Sequence, residues 1–176
     1  MGYIRKDEYD VAYNQIVSRA RRAISLNQAN GGSSAATVLI LVSPDVDALC
    51  ACKILISLLN DDCVGYKVVP VSGWQELSRI NSEQVQDNLD LRTVILINLG
   101  SLVDLAEYFA LPQLATLHVI DSHRPWNLNN VFASGPDAEQ ITVWDDGDVT
   151  EDMQEERLAF EAIQARLPYC FLFPQF

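Results

Sequence analysis

The stretch Thr37-Val38-Leu39-Ile40-Leu41-Val42-Ser43-Pro44-Asp45-Val46-Asp47 decides the fold. Its first six residues are β-branched or aliphatic with no polar alternation, which marks a strand covered on both faces, as in a parallel sheet. Ser43-Pro44 ends the run. From Ala48 to Leu59 the chain is apolar nearly all round, so a helix is expected there, buried between the sheet and another layer. A central strand passing through a tight polar turn into a helix is the first half of a βαβ unit.

Further strands are expected at Tyr66-Lys67-Val68-Val69, Thr93-Val94-Ile95-Leu96-Ile97, Thr116-Leu117-His118-Val119-Ile120 and Gln140-Ile141-Thr142-Val143-Trp144. Helical patterns at Trp74 to Val85 and Leu102 to Phe109 lie between them. This alternation predicts an α/β fold with a doubly wound, mostly parallel five-stranded sheet and helices on both faces. Upstream, Tyr9, Tyr13, Ile16, Ala20 and Ala23 recur at steps of four and three. They give an amphipathic helix from Asp7 to Ile24 with Arg19, Arg21 and Arg22 near its negative pole. Residues 27–36 are small and polar and read as a loop. Downstream, Thr150 is expected to cap a helix with Met153, Phe160, Ile163 and Leu167 on one stripe, ending at Pro168. The division is therefore an α/β domain over 1–150, and over 151–176 an acidic helix and apolar tail that begin a longer chain.

Nearly half of the 176 residues are apolar, enough for one sizeable core. No apolar run reaches membrane-spanning length, and Met1 to Glu8 lacks the apolar core of a secretory signal, so an intracellular protein is expected. Cys50, Cys52, Cys63 and Cys170 have neither disulfide-like nor zinc-like spacing and are expected as reduced core thiols. The net charge of -12 disfavours the surface as a whole for nucleic-acid binding. Ten carboxylates against the single Arg157 lie between Asp137 and Glu161. They form either a solvated face or a patch for a basic partner.

The remaining polar groups gather where strands end. The four turns are Ser43-Pro44-Asp45-Val46-Asp47, Asn98-Leu99-Gly100, Asp121-Ser122-His123-Arg124-Pro125 and Asp145-Asp146-Gly147-Asp148. In open α/β sheets these ends line the ligand crevice. Oxygen-rich clusters with a histidine suit Mg²⁺ or Mn²⁺, and a pair of such ions activates water against a phosphodiester. Each Asp is equally suited to capping the helix that follows it. Arg124 is placed to engage a strand-end carboxylate, and Trp126 to pack under the next loop rather than stack on a base.

Three segments carry a family resemblance: Asp45 to Leu55 (DVDALCACKIL), Val69 to Leu77 (VPVSGWQEL) and Asp121 to Asn130 (DSHRPWNLNN). In order and spacing they resemble the amino-terminal part of the cell division control protein 45 family, as does Asp145-Asp146-Gly147 before an acidic helix. The resemblance implies a fold like that of the RecJ-like DHH phosphoesterases. It also implies a role in the eukaryotic replicative helicase, joining the minichromosome maintenance ring and GINS in the nucleus.

It further implies a degraded metal site. Where an active DHH enzyme has His-x-Asp-x-Asp, Ser43 replaces the histidine while Asp45 and Asp47 remain. Neutral Asn98 stands for the bridging Asp, and Asp-His-His reads Asp121-Ser122-His123. Asp145 or Asp146 takes the last acidic position. Two adjacent dications would be poorly compensated by this set. The expectation is a non-catalytic scaffold with no cofactor and no metal centre, with Glu151, Asp152, Glu155 and Glu156 facing a partner and single-stranded DNA met by other parts of the longer protein. The alternative is a residual Mn²⁺-dependent RecJ-like nuclease or nucleotide phosphodiesterase. In the non-catalytic reading, the retained carboxylates Asp45, Asp47 and Asp121 are expected to hold helix ends and loops, keep one weak ion, or be partly protonated by mutual repulsion.

Overall fold

The computed structural model describes residues 2–29, 36–135 and 139–170. At its centre strand β2, Val38–Val42, is buried at all five positions, as is β4, Thr93–Ile97. The remaining strands are β1 (Tyr3–Ile4), β3 (Tyr66–Pro70), β5 (Thr116–Ile120) and β6 (Ile141–Trp144). All pairs are parallel, in the order β1-β6-β5-β4-β2-β3.

Alternation along β2 divides the core. Val38, Ile40 and Val42 pack with Ile16, Val17 and Ala20 of helix α1 (Tyr9–Ala29) and with Cys52, Leu55 and Leu59 of α2 (Val46–Asp61). Leu39 and Leu41 face the other way. There they meet Leu77 and Ile80 of α3 (Trp74–Ile80), Leu105 of α4 (Leu105–Tyr108) and Val131 of α5 (Leu128–Phe132). A π-helical turn, Asn81–Val85, extends α3. After β6 come the short α6 (Asp148–Glu151) and the long α7 (Gln154–Cys170). No helix of the described residues is long and apolar enough to cross a membrane.

Because the chain leaves β2 for the edge at β3 and returns to β4 on β2's other side, β2 and β4 flank the topological switch point. The loops after their C-terminal ends diverge there and leave a crevice.

Several expectations are corrected. The sheet has six strands rather than five, because Tyr3–Ile4 adds to β6; Gly2 O accepts from Val143 N, and Asp145 N donates to Ile4 O. Helix α1 runs on to Ala29, so Arg19, Arg21 and Arg22 lie inside it and not at its negative pole. Helix α2 is not buried between two layers. It packs over β2 and β4, and Val46, Leu49, Ile54 and Leu58 are exposed on its outer face. Cys50 and Cys63 are exposed thiols, Cys52 is buried, and the side chain of Cys170 lies outside the described residues. Thr150 is not the cap of a long helix: it sits within α6, and the acidic helix begins afresh at Gln154 and continues through Pro168 to Cys170. Ile163 is exposed rather than on a buried stripe. The apolar tail from Phe171 and Asp137 lie outside the described residues, as does most of the 27–36 loop.

Candidate functional site

Asp45 stands in extended backbone just before α2, where an acceptor is needed for the helix's unpaired N–H groups. Its Oδ1 accepts from Ala48 N at 2.8 Å, and its Oδ2 accepts from the Asn98 amide at 3.0 Å. These donors, the Ala48 N–H first, then Asn98 and Ser43, hold the carboxyl down at about 2. These hydrogen bonds favour the ionised carboxylate and so work against partial protonation through repulsion. Asp47, in the first turn of α2, is exposed and has no hydrogen-bonding partner among the described residues.

Asn98 follows β4 with φ of 56°, a left-handed conformation that asparagine tolerates better than most residues. While its amide nitrogen faces Asp45, its oxygen accepts from Ser122 N at 3.2 Å and Ser122 Oγ at 2.8 Å. One neutral side chain thus ties the β2, β4 and β5 loops together. The Gly100 turn behind it has φ of 99°, and an added Cβ would stand 2.7 Å from Leu96 Cδ1, so a side chain is excluded there twice over.

Asp121 ends β5 with its carboxylate almost wholly covered. Oδ2 accepts from Ser101 N at 2.9 Å, and Oδ1 from both His123 N at 2.9 Å and His123 Nδ1 at 2.7 Å. The His123 ring, half-exposed, is thus oriented by its own loop.

Asp145 ends β6 and is fully buried. Burial alone would raise its carboxyl, yet it is lowered on balance by four hydrogen bonds: Gly147 N and Val149 N at 2.9 Å, Thr150 N at 3.1 Å and Thr150 Oγ1 at 2.5 Å. Its carboxylate is the anchor of the turn into α6. Asp146 points the other way and is gripped by both Arg124 Nη2 contacts, 2.7 and 2.8 Å, while Arg124 Nε meets Asp148 at 2.6 Å. The guanidinium carbon lies 4.3 Å from the centre of the Trp126 ring, which is itself buried. Arg124 and Trp126 therefore take the packing roles expected of them.

The sequence-predicted residues share the carboxyl edge of the sheet but not one centre. A cavity of about 230 Å³ at the switch point is bordered by Ser43, Trp74, Asn98, Ser101 and His123. A second, of about 220 Å³, lies toward α1 and α2 and is bordered by Asp47, Asp121, Ser122 and Asp146. Among the described residues no three His, Cys, Asp or Glu side chains converge as a metal-holding group. Glu151, Asp152, Glu155 and Glu156 are all exposed at the junction of α6 and α7.

Asn130 is a positioning residue that sequence reasoning did not single out. Buried at 2% exposure, it accepts from Leu105 N at 3.0 Å and donates to Gly100 O and Val103 O, holding the whole loop after β4. Its neighbours Asn127 and Asn129 are amides too, so nothing in the sequence set the buried one apart. Ser101, whose backbone N–H serves Asp121, left no signal either, since any residue supplies a backbone donor.

Residues 38–167 match the CDC45 family. The chain is similar to the cell division control protein 45 homolog of Schizosaccharomyces pombe, 37% identical over 163 residues, covering 93% of this chain and 23% of that protein. It is also similar to Protein TSD2 of Mycosarcoma maydis, 38% identical over 178 residues, covering 93% of this chain and 20% of that protein. The crystal structure of CDC45 from Entamoeba histolytica superposes with a TM-score of 0.64 at 26% identity, over 81% of this chain and 25% of that one. The chain thus spans about a fifth to a quarter of the length of these relatives. With the α/β architecture and strand-end turns in place, the chain belongs to the CDC45 family of DNA replication factors.

Proposed function

We propose that this domain is a non-catalytic, DHH-like scaffold in eukaryotic DNA replication, acting in the nucleus in initiation and elongation and joining the minichromosome maintenance ring and GINS. The observation that carries the reading is Asp145. Of the two residues placed to supply the last acidic ligand of a two-metal site, Asp145 is fully buried and receives four protein hydrogen bonds, and Asp146 is paired with Arg124. Asp121 is similarly committed, and Asn98 offers the bridging position no charge.

The donor set does not fit a dinuclear centre. Mg²⁺ and Mn²⁺ need several convergent oxygens, and paired dications need their charge offset. Asp145 would have to surrender its cap, and Asp146 its arginine, before either faced an ion. What these residues do instead is fasten four loops at one edge, leaving a rigid surface that a partner can read. The acidic group at Glu151, Asp152, Glu155 and Glu156 is exposed beside that edge and suits a basic partner surface. Single-stranded DNA is assigned to other parts of the longer family proteins, since this chain carries a net charge of -12.

The test is binding of the purified domain, by biolayer interferometry, to the reconstituted ring, to GINS and to their assembly. Saturable binding to the assembly supports the scaffold; its absence, under conditions where a full-length relative binds, contradicts it. A residual Mn²⁺-dependent phosphodiesterase is the second reading, favoured by the unpartnered carboxylate of Asp47 and the half-exposed imidazole of His123.

A further inference from the structure

The amino edge of the sheet, opposite the carboxylates, carries a groove of about 800 Å³ between the C-terminal half of α1 and the starts of β4, β5 and β6. Arg19 and Arg22 of α1 and Arg92 before β4 line it. In a chain with 24 carboxylates and 12 lysines and arginines, cations are expected to be consumed by local pairing. Arg21 follows that rule and meets Asp62 at 3.0 Å. Its neighbours do not: among the described residues neither Arg19 nor Arg22 has an ion pair or hydrogen bond, and both are exposed. Arg92 is held in place, its Nη1 donating to Leu89 O at 2.6 Å and Leu91 O at 2.9 Å, while among the described residues the rest of its guanidinium has no such partner.

The same groove is partly apolar. Leu26 and Leu114 are 56% and 65% exposed on its walls, and Leu111 borders it. Glu139 is the one carboxylate on the rim among the described residues. Three guanidiniums with exposed leucines between them match a ligand that is both acidic and aliphatic. A nucleic-acid strand fits less well. Among the described residues no aromatic ring lines the groove for base stacking, and the molecule's overall field repels a continuous polyanion. A short acidic segment needs only the local field, because charges more than a Debye length away are screened.

We propose that this groove is a docking site for an acidic peptide segment of a partner protein, its carboxylates on Arg19, Arg22 and Arg92 and its aliphatic side chains on Leu26 and Leu114. The site is about the length of a five-residue strand, roughly 17 Å, from the carboxyl edge. It stands independently of the scaffold reading, which concerns that other edge.

The experiment is fluorescence anisotropy with the 176-residue protein and three labelled probes: a peptide of repeating Asp, Glu and Leu; the same peptide with Leu replaced by Ser; and oligothymidylate. The acidic leucine peptide binds, more weakly as salt rises, and the Arg19→Glu, Arg22→Glu double variant weakens it by about tenfold or more. Leu114→Ser weakens the leucine peptide but not the serine peptide. Both sets of substitutions are at exposed positions, and circular dichroism checks that the variants stay folded. The proposal is overturned if the acidic leucine peptide does not bind, if the double arginine variant binds it as tightly as the parent, or if oligothymidylate binds more tightly and is the probe that the variant loses.

Discussion

The Asn98 side-chain amide donates to Asp45 Oδ2 at 3.0 Å, joining the loop after β4 to the cap of α2 across the switch point. An aspartate at residue 98 would set a second carboxylate against the first and lose the donor. Asn98→Asp is expected to lower stability at neutral pH by about 1–2 kcal/mol, the scale of one lost hydrogen bond with an acceptor left unpaired. Chemical denaturation measures it. The deficit should shrink as pH falls and one of the two carboxyls takes a proton; a variant as stable as the parent at neutral pH would show that the Asn98 bridge contributes nothing.

The pH dependence of Asp45 has a definite sign. Its folded carboxyl lies below the ordinary value, at about 2, so the stabilisation is fully present above the ordinary carboxylate range and is lost as pH falls from there toward about 2. Asp45→Asn removes that titration. The stability gap between parent and variant should therefore narrow across this window in denaturation curves taken at successive pH values. A constant gap would contradict the assigned hydrogen bonds.

Asp145 separates a cap from a ligand. If its carboxylate exists to hold Gly147, Val149 and Thr150, Asp145→Ala must destabilise the metal-free protein, by roughly 3 kcal/mol or more for several buried donors left unpaired. Denaturation in the presence of a chelator is the measurement. A ligand kept for an ion would behave oppositely, since removing a carboxylate from a metal-free acidic cluster relieves repulsion.

How much of this was legible beforehand depended on whether a residue's neighbours were local. Strands β2 and β4 were plain because burial on both faces removes polar alternation from the chain itself. Strand β1 was not, since the two residues Tyr3 and Ile4 have no period and are ordered by β6, far away in sequence. For α2 the composition suggested two covered faces, but Val46, Leu49, Ile54 and Leu58 are exposed, and nothing in a run of leucines and isoleucines reveals whether a second layer covers it. At the site, the residue types were legible while their directions were not. Asp145 and Asp146 are adjacent and chemically alike, yet one is buried beneath α6 and the other is clasped by Arg124. That difference follows from the backbone at Gly147, with φ of 120°, which brings the α6 N–H groups over Asp145.

Charge reversal at Glu151, Asp152, Glu155 and Glu156 is expected to weaken binding to helicase subunits while leaving the fold intact, because all four side chains are exposed. The loss should be greatest at low salt. Unchanged binding of the four-fold variant to the ring and to GINS would remove this segment from the partner-facing surface.

The proposed scaffold role requires that this edge of the sheet performs no phosphoesterase chemistry. The most direct measurement is calorimetric titration of the domain with Mn²⁺, paired with an assay of nucleotide phosphodiester turnover on the same sample. No pair of tightly bound ions and no turnover above the metal-only background are expected. Two tight ions together with hydrolysis that disappears in Asp47→Asn would contradict the scaffold role.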